Sequence, residues 1–206
     1  MSEGDFFSDE AKRASAASVR KVEAQTSAEV VVAVRKRSGK YGVLAYHFGA
    51  GLALLVVLCL LLSPELYSVE AIALNGLLAF ALGAIAAANF DTLLRLVSRS
   101  ATLSQNVNQA ARAAFYDLGI SRTSGRSGIL VYVSLFERRC AVLPDLGIDP
   151  ARFEPAWLGA SRSLEEAVKR RDLKAFRDAL ESLGPVLGGP YPRSEDDVNE
   201  LPDEVQ

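Results

Sequence analysis

Two long uncharged runs constrain this chain more than any other feature. Residues 41–64 contain no Asp, Glu, Lys or Arg, and residues 71–90 also lack these four residue types. About 20 helical residues span the roughly 30 Å hydrocarbon core of a bilayer, because a helix rises 1.5 Å per residue. We therefore predict transmembrane helices over residues 43–62 and 71–90, joined by a short external loop over residues 63–70.

Neither a soluble helix pair nor a signal peptide accounts for these runs as well. A pair of buried helices in a soluble core would need a much larger protein around it than this chain of 206 residues supplies. A cleaved signal peptide does not fit the first run, because a polar segment of about 40 residues precedes it.

Basic residues flank the two runs on the sides away from the short loop, which itself has no Lys or Arg. The positive-inside rule then predicts a multi-pass protein of the cell (inner) membrane, with both termini cytoplasmic. Small residues in the runs would let the helices approach closely, and they also allow a homodimer. The flanking basic residues are Arg35, Lys36, Arg37, Lys40, Arg95 and Arg99, and the small residues are Gly49, Gly51, Ala53, Gly76, Ala79 and Gly83.

Composition argues against several functional classes. The net charge of −2 disfavours general nucleic-acid binding, which needs a basic surface. Cys59 and Cys140 lie in segments that should not meet, so we expect free thiols. His47 is the one histidine, and it lies in the first apolar run, where we expect a neutral ring with a local hydrogen bond. Cys–His pairs, Ser-His-Asp triads and His-rich zinc sites are therefore disfavoured.

The soluble part of the chain is divided by the hairpin into residues 1–40 and 91–185, followed by an acidic tail over residues 186–206 that we expect to be disordered. Apolar, mostly β-branched runs in both parts are typical of strands buried on both faces. The predicted elements are a helix over 8–25, a strand over 28–35, a helix over 91–118, strands over 129–135 and 139–143, and helices over 151–170 and 172–183.

This order of elements predicts an α/β fold, a small helix-flanked sheet with the transmembrane hairpin inserted after the first strand. The first strand must run toward the membrane, because it leads into the first crossing within a few residues. A parallel second strand would then deliver Glu137, Arg138 and Arg139 to the same edge. We therefore expect these three residues to face anionic headgroups or a protein partner.

A second group of charged residues lies in and after the loop before the second strand. Arg122 and Arg126, together with Arg138 and Arg139, could hold a phosphate, and Asp145 could act as nucleophile or acid. The alternative is structural, because Arg122 and Arg126 fit a solvated loop and Asp145 fits a turn with Gly147.

Two segments carry a resemblance to a known family. Residues 26–34 read TSAEVVVAV and residues 128–148 read GILVYVSLFERRCAVLPDLGI. The chain resembles the TPM domain family, in particular bacterial members that carry two membrane helices at this position. The matching positions are Glu29, Gly128, Arg138 or Arg139, and Gly147.

The resemblance implies a small α/β sandwich. In that family, thylakoid members are associated with acid phosphatase activity and photosystem repair, animal members with modulation of a membrane receptor, and some members bind calcium. Calcium takes six to eight oxygen ligands, and Glu137, Asp145 and Asp149 are too few to supply them, so we expect no cofactor.

From these observations we expect a cytoplasmic TPM-like domain on a membrane anchor. It would act as a non-catalytic regulator or assembly and maintenance factor that binds membrane-protein partners. The main alternative is a membrane-anchored hydrolase resembling an acid phosphatase, and a third is a carboxylate-based calcium sensor.

Overall fold

The computed structural model describes residues 8–193 and 199–201. The chain divides into two compact units. Of the described residues, the first unit contains 8–38, 104–193 and 199–201, and the second contains 39–103.

The first unit is built on a three-stranded mixed sheet in the order β1-β2-β3. β1 and β2 pair in parallel, with Glu29 opposite Gly128 and Arg35 opposite Ser134, and β2 and β3 pair antiparallel. The strands are β1 (Glu29–Arg35), β2 (Gly128–Ser134) and β3 (Arg139–Pro144). The β-branched runs seen in the sequence form β1 and β2, whose residues are almost all buried, because such side chains pack well on a pleated surface.

Helices cover both faces of this sheet. Alternate residues of a strand point to opposite faces, so Val30 and Val32 face one apolar cluster and Val31 faces another. The first cluster is completed by four helices and the second by α5. In chain order the helices of this unit are α1 (Asp9–Glu23), α5 (Ser100–Asp117), α6 (Glu154–Arg170), α7 (Leu173–Glu181) and α8 (Leu183–Gly188), with 3-10 turns at Ile120–Arg122 and Pro150–Phe153.

The end of the α/β unit differs from the prediction. The segment expected to be a linker forms α8, in which Leu183 and Leu187 are fully buried one helical turn apart. Pro185 is tolerated because it lies in the first turn, where its missing N–H has no helical partner. The boundary predicted at residue 186 therefore falls inside a helix. Residues 194–198 and 202–206 of the predicted tail lie outside the described residues.

The second unit contains two long apolar helices, α2 (Gly42–Leu61) and α3 (Val69–Asn89), and the short helix α4 (Asp91–Val97). Small residues lie between α2 and α3. A Cβ added at Gly49 would lie 2.6 Å from the Phe80 carbonyl oxygen, and one added at Gly83 would lie 3.0 Å from Gly49 Cα. The predicted role of these two glycines in close helix packing is therefore visible in the structure, whereas Gly51 has nothing within 4 Å.

Both α2 and α3 are long and apolar enough to cross a membrane, with mean hydropathies of 2.3 and 2.1 over 18 residues. Only 11% and 17% of those windows is buried, whereas the core helix of a soluble protein would be mostly buried. His47 Nδ1 lies 2.8 Å from the Val43 carbonyl oxygen, which is the local hydrogen bond expected for it.

The helix predicted over residues 91–118 is two helices in the structure. α4 ends at Val97 and α5 begins at Ser100, because Ser98 adopts an extended backbone with ψ 131°. Its hydroxyl donates to the Leu94 carbonyl at 2.7 Å, a local bond by which serine competes with helix continuation.

Candidate functional site

The first group of predicted site residues lies at one edge of the sheet. The carboxyl ends of β1 and β2 meet there because the two strands are parallel. The ladder continues past both strands, since Leu135 N–H donates to the Arg35 carbonyl and Phe136 N–H to the Lys36 carbonyl, each at 3.0 Å. We call this edge, with residues 36–38 and 136–139, the carboxyl edge.

A buried polar cluster fixes the carboxyl edge. The Glu137 carboxylate accepts the Ser38 backbone N–H at 2.9 Å and the Ser134 hydroxyl. The Ser38 hydroxyl donates to Ser134 Oγ at 2.7 Å and lies 3.1 Å from the Tyr132 hydroxyl. Glu137 is only 2% exposed. Its predicted place on a partner-binding surface is therefore corrected: the carboxylate faces inward and ties the turn to residue 38.

The arginines of this turn lie nearer to the surface. Arg138 and Arg139 are partly buried, and Arg138 has a left-handed backbone with φ 51°. Arg139 forms an ion pair of 2.6 Å with Glu165 on α6. Arg37 adds another basic residue to this edge, and its guanidinium lies 4.4 Å from the centroid of the Phe136 ring.

The second group of predicted residues lies at the opposite edge. The Asp145 N–H donates to the Gly128 carbonyl at 2.8 Å, so Asp145 lies beside the start of β2. A strand of seven residues is about 23 Å long. The predicted residues therefore form two separate groups, Glu137 to Arg139 at the carboxyl edge and Arg126 with Asp145 at what we call the amino edge.

Asp145 is held by a bidentate ion pair. Arg126 Nε donates to Oδ2 at 2.7 Å and Nη2 donates to Oδ1 at 2.9 Å. Oδ1 also accepts the Leu146 N–H at 2.8 Å. Asp145 is buried while the Arg126 side chain is 48% exposed, and the hydrogen bonding of the guanidinium to the Asp145 carboxylate raises the pKa of Arg126. Such an engaged carboxylate is a poor nucleophile.

The backbone holds this pair rigidly. Arg126 has a left-handed φ of 51°, and its carbonyl accepts the Gly147 N–H at 2.8 Å. A Cβ at Gly147 would lie 2.2 Å from the Gly125 carbonyl oxygen, so only glycine fits there. Gly147, one of the family-like positions, therefore has a packing role.

A pocket of about 340 Å³ opens beside the ion pair. Its polar residues include Arg112 and Tyr116, which the sequence reasoning did not single out. They are four residues apart on α5, a spacing that places both on one helix face. That spacing was visible in the sequence, but the position of α5 over the sheet was not.

The loop before β2 binds a carboxylate of the chain itself, that of Glu200. The Glu200 carboxylate accepts the Ser124 N–H at 2.8 Å and the Ser124 hydroxyl at 2.5 Å, and these two bonds lower the pKa of Glu200. Glu29, a family-like position, is buried beside them, and its Oε1 accepts the Glu200 N–H at 3.4 Å. Arg122 lies in the 3-10 turn before this loop and is exposed.

The carboxylates considered for calcium do not converge. Glu137 and Asp145 lie at opposite edges, and Asp149 accepts the Ala151 N–H at 3.1 Å to cap a 3-10 turn. Over residues 8–193 and 199–201, no three His, Cys, Asp or Glu side chains are grouped as metal ligands would be. Burial raises the pKa of the Cys140 thiol, with a further contribution from Glu165, so this cysteine stays protonated at neutral pH.

The fold and these two edges define the protein as a mixed α/β protein with two inserted apolar helices. No protein-family model matches the chain, and no curated protein matches it. A solved structure does match: the NMR structure of the BA42 protein from the psychrophilic bacterium Bizionia argentinensis. The similarity has a TM-score of 0.57 at 18% sequence identity and covers 97% of this chain and 93% of the other. It shows a shared fold.

Proposed function

We propose that this protein is a membrane-anchored regulator or assembly factor whose α/β unit binds a membrane-protein partner without catalysis. In this proposal α2 and α3 cross the cell (inner) membrane and both termini are cytoplasmic. The support is the exposed apolar surface of the two helices and the basic residues that flank them.

The observation that carries the proposal is the position of the carboxyl edge in the chain. Ser38 is hydrogen-bonded to Glu137, and only three residues separate Ser38 from the first residue of α2. The edge also presents Lys36, Arg37 and Arg138. If α2 enters a bilayer, this basic edge is the part of the α/β unit that the fewest residues separate from the membrane surface. Each basic residue near an anionic leaflet contributes about 1 kcal/mol.

The resemblance to the TPM family is part of the proposal. Its support is that the two family-like segments form the centre of the α/β unit: one contains β1 except for its last residue, and the other contains the β2–β3 hairpin. The Asp145 ion pair and the protonated Cys140 thiol favour a binding role over a nucleophilic one.

Crosslinking in intact membranes tests this function with variants that leave the fold in place. Arg138→Asn suits the left-handed backbone, which asparagine tolerates, and Arg139→Gln removes the second charge. Glu165→Gln is the matched control, because it breaks the same ion pair while retaining Arg139.

We expect wild type and Glu165→Gln to crosslink to the same membrane protein and the double arginine variant to lose it. Equal capture by all three forms would contradict a partner at the carboxyl edge.

One observation favours the alternative, a membrane-anchored hydrolase. Arg112 and Arg126 line a pocket together with Asp145, so two cationic donors for a phosphoryl oxygen lie beside a carboxylate. Hydrolysis of p-nitrophenyl phosphate by the solubilised protein tests this alternative. Activity that is lost in Asp145→Asn, with Trp157 fluorescence unchanged, would support catalysis, and absence of activity in wild type would contradict it.

A further inference from the structure

The pocket at the amino edge combines a charged wall with an exposed apolar wall. Arg112 and Arg126 supply the charge, and Tyr116 and Leu146 are 72% and 85% exposed beside them. Phe115 is buried beneath, with its ring edge-to-face to Tyr116 at 6.0 Å. A volume of about 340 Å³ lies at the small end of the range for ligand sites.

The arginines of this pocket have donors available to a ligand. A guanidinium has five N–H donors, and Asp145 takes two of those on Arg126. The Arg112 side chain is exposed and has no hydrogen-bond or ion-pair partner among the described residues. The bidentate ion pair with Asp145 and the left-handed backbone of Arg126 position the Arg126 guanidinium without a ligand.

The charge of the pocket selects the kind of anion. Two arginines and one aspartate leave one net positive charge. A monoanion such as a carboxylate would neutralise it, whereas a phosphate dianion would leave a net negative charge close to buried Asp145. The planar carboxylate also matches the fork of a guanidinium.

We infer that this pocket binds a small aromatic carboxylic acid, with the carboxylate on Arg112 and Arg126 and the ring against Tyr116 and Leu146. This inference goes beyond the proposed partner binding and does not depend on it, because the pocket lies at the other end of the sheet.

Isothermal titration of the full-length, detergent-solubilised protein with phenylacetate tests the inference. Arg112→Gln removes one guanidinium and its positive charge from an exposed position, so the fold should persist. Arg162→Gln is the matched control, since Arg162 is an exposed arginine on α6 outside the pocket. Phenylacetamide is the uncharged ligand control, and phenyl phosphate tests the selection for a monoanion.

We expect Arg112→Gln to weaken phenylacetate binding by about tenfold or more and Arg162→Gln to bind as wild type does. Phenylacetamide should also bind about tenfold more weakly, and phenyl phosphate no more tightly than phenylacetate. Equal binding by Arg112→Gln and wild type would overturn the inference. Equal binding of the amide, tighter binding of the phosphate ester, or no saturable binding up to about 10 mM would also overturn it.

Discussion

Replacing Glu137 with alanine separates an internal role for this residue from a surface role. The structure places its carboxylate inside the carboxyl edge, bonded to the Ser38 N–H and the Ser134 hydroxyl, with 2% of the residue exposed. If the residue instead served mainly to contact headgroups or a partner, its loss would not change the stability of the α/β unit.

The expected magnitude follows from these two bonds. A hydrogen bond to a charged group contributes about 1.5–3 kcal/mol, so two such bonds give roughly 3–6 kcal/mol. The Ser134 hydroxyl can turn to donate to Ser38 Oγ, which lies 2.7 Å away, and this lessens the penalty for one of the two donors left behind. We therefore expect Glu137→Ala to lower the free energy of unfolding by about 3 kcal/mol. For an m value of about 1–3 kcal/mol/M, this corresponds to a decrease of roughly 1–3 M in the urea concentration at the unfolding midpoint.

Trp157 reports this change selectively. It is the single tryptophan of the chain, and it is buried in the apolar cluster between the sheet and its helices. Urea titration followed by Trp157 fluorescence therefore measures the α/β unit in the presence of the apolar helices. Glu165→Ala is the control, because it removes a partly exposed carboxylate from an ion pair and should cost under about 1 kcal/mol. A Glu137→Ala midpoint within error of the Glu165→Ala midpoint would refute the internal role.

Three further changes have defined outcomes. Gly147→Ala forces a Cβ to 2.2 Å from a backbone oxygen and should lower the free energy of unfolding by at least about 2 kcal/mol in the same titration. Gly159→Ala is the control: a Cβ there has nothing within 4 Å, so this variant should be neutral or stabilise by up to about 1 kcal/mol. Hydrogen bonds from a lysine and a serine of α1 lower the pKa of Glu181, so its contribution to stability is present above about pH 4.5 and is lost as the pH falls through the lowered pKa. A Glu181→Gln variant should therefore be less stable by under about 1 kcal/mol at pH 7, and the difference from wild type should disappear as the pH falls through that pKa. A difference that stays constant with pH would contradict the assignment. Replacing residues 39–103 with a flexible linker of about eight residues should leave a soluble unit that unfolds cooperatively when it is followed by Trp157 fluorescence. The reason is that both apolar clusters of the sheet consist of residues outside that segment. A molten product would contradict the independence of the α/β unit.

Local patterns predicted the elements well where burial is uniform. The β-branched runs that became β1 and β2 are buried on both faces, so their composition alone identified them, and Ser8 caps α1 as the sequence suggested. The break at Ser98 and the extra helix α8 were missed. In both places one backbone conformation or one tertiary contact outweighs a helical or linker-like composition.

The candidate site was predicted less well, because charge in a sequence does not show which way a side chain points. Glu137 and its neighbour Arg138 are adjacent in the chain, yet the first is buried and the second is only partly covered. Arg112 and Tyr116 belong to the pocket through the packing of α5 on the sheet, a contact between segments that no local pattern contains.

The topology explains why the protein has two distinct edges. Since β1 and β2 are parallel, the chain must return from the carboxyl edge to the amino edge before β2 begins. α5 has 18 residues and spans about 27 Å, which is sufficient for a strand of about 23 Å. The two apolar helices and α4 lie in this crossover, between β1 and α5. Substitutions at such separated sites normally have additive effects on the free energy of unfolding. The effects of substitutions at Arg112 and Arg138 should therefore be independent. A departure from additivity would show that the sheet itself transmits a change from the pocket to the carboxyl edge.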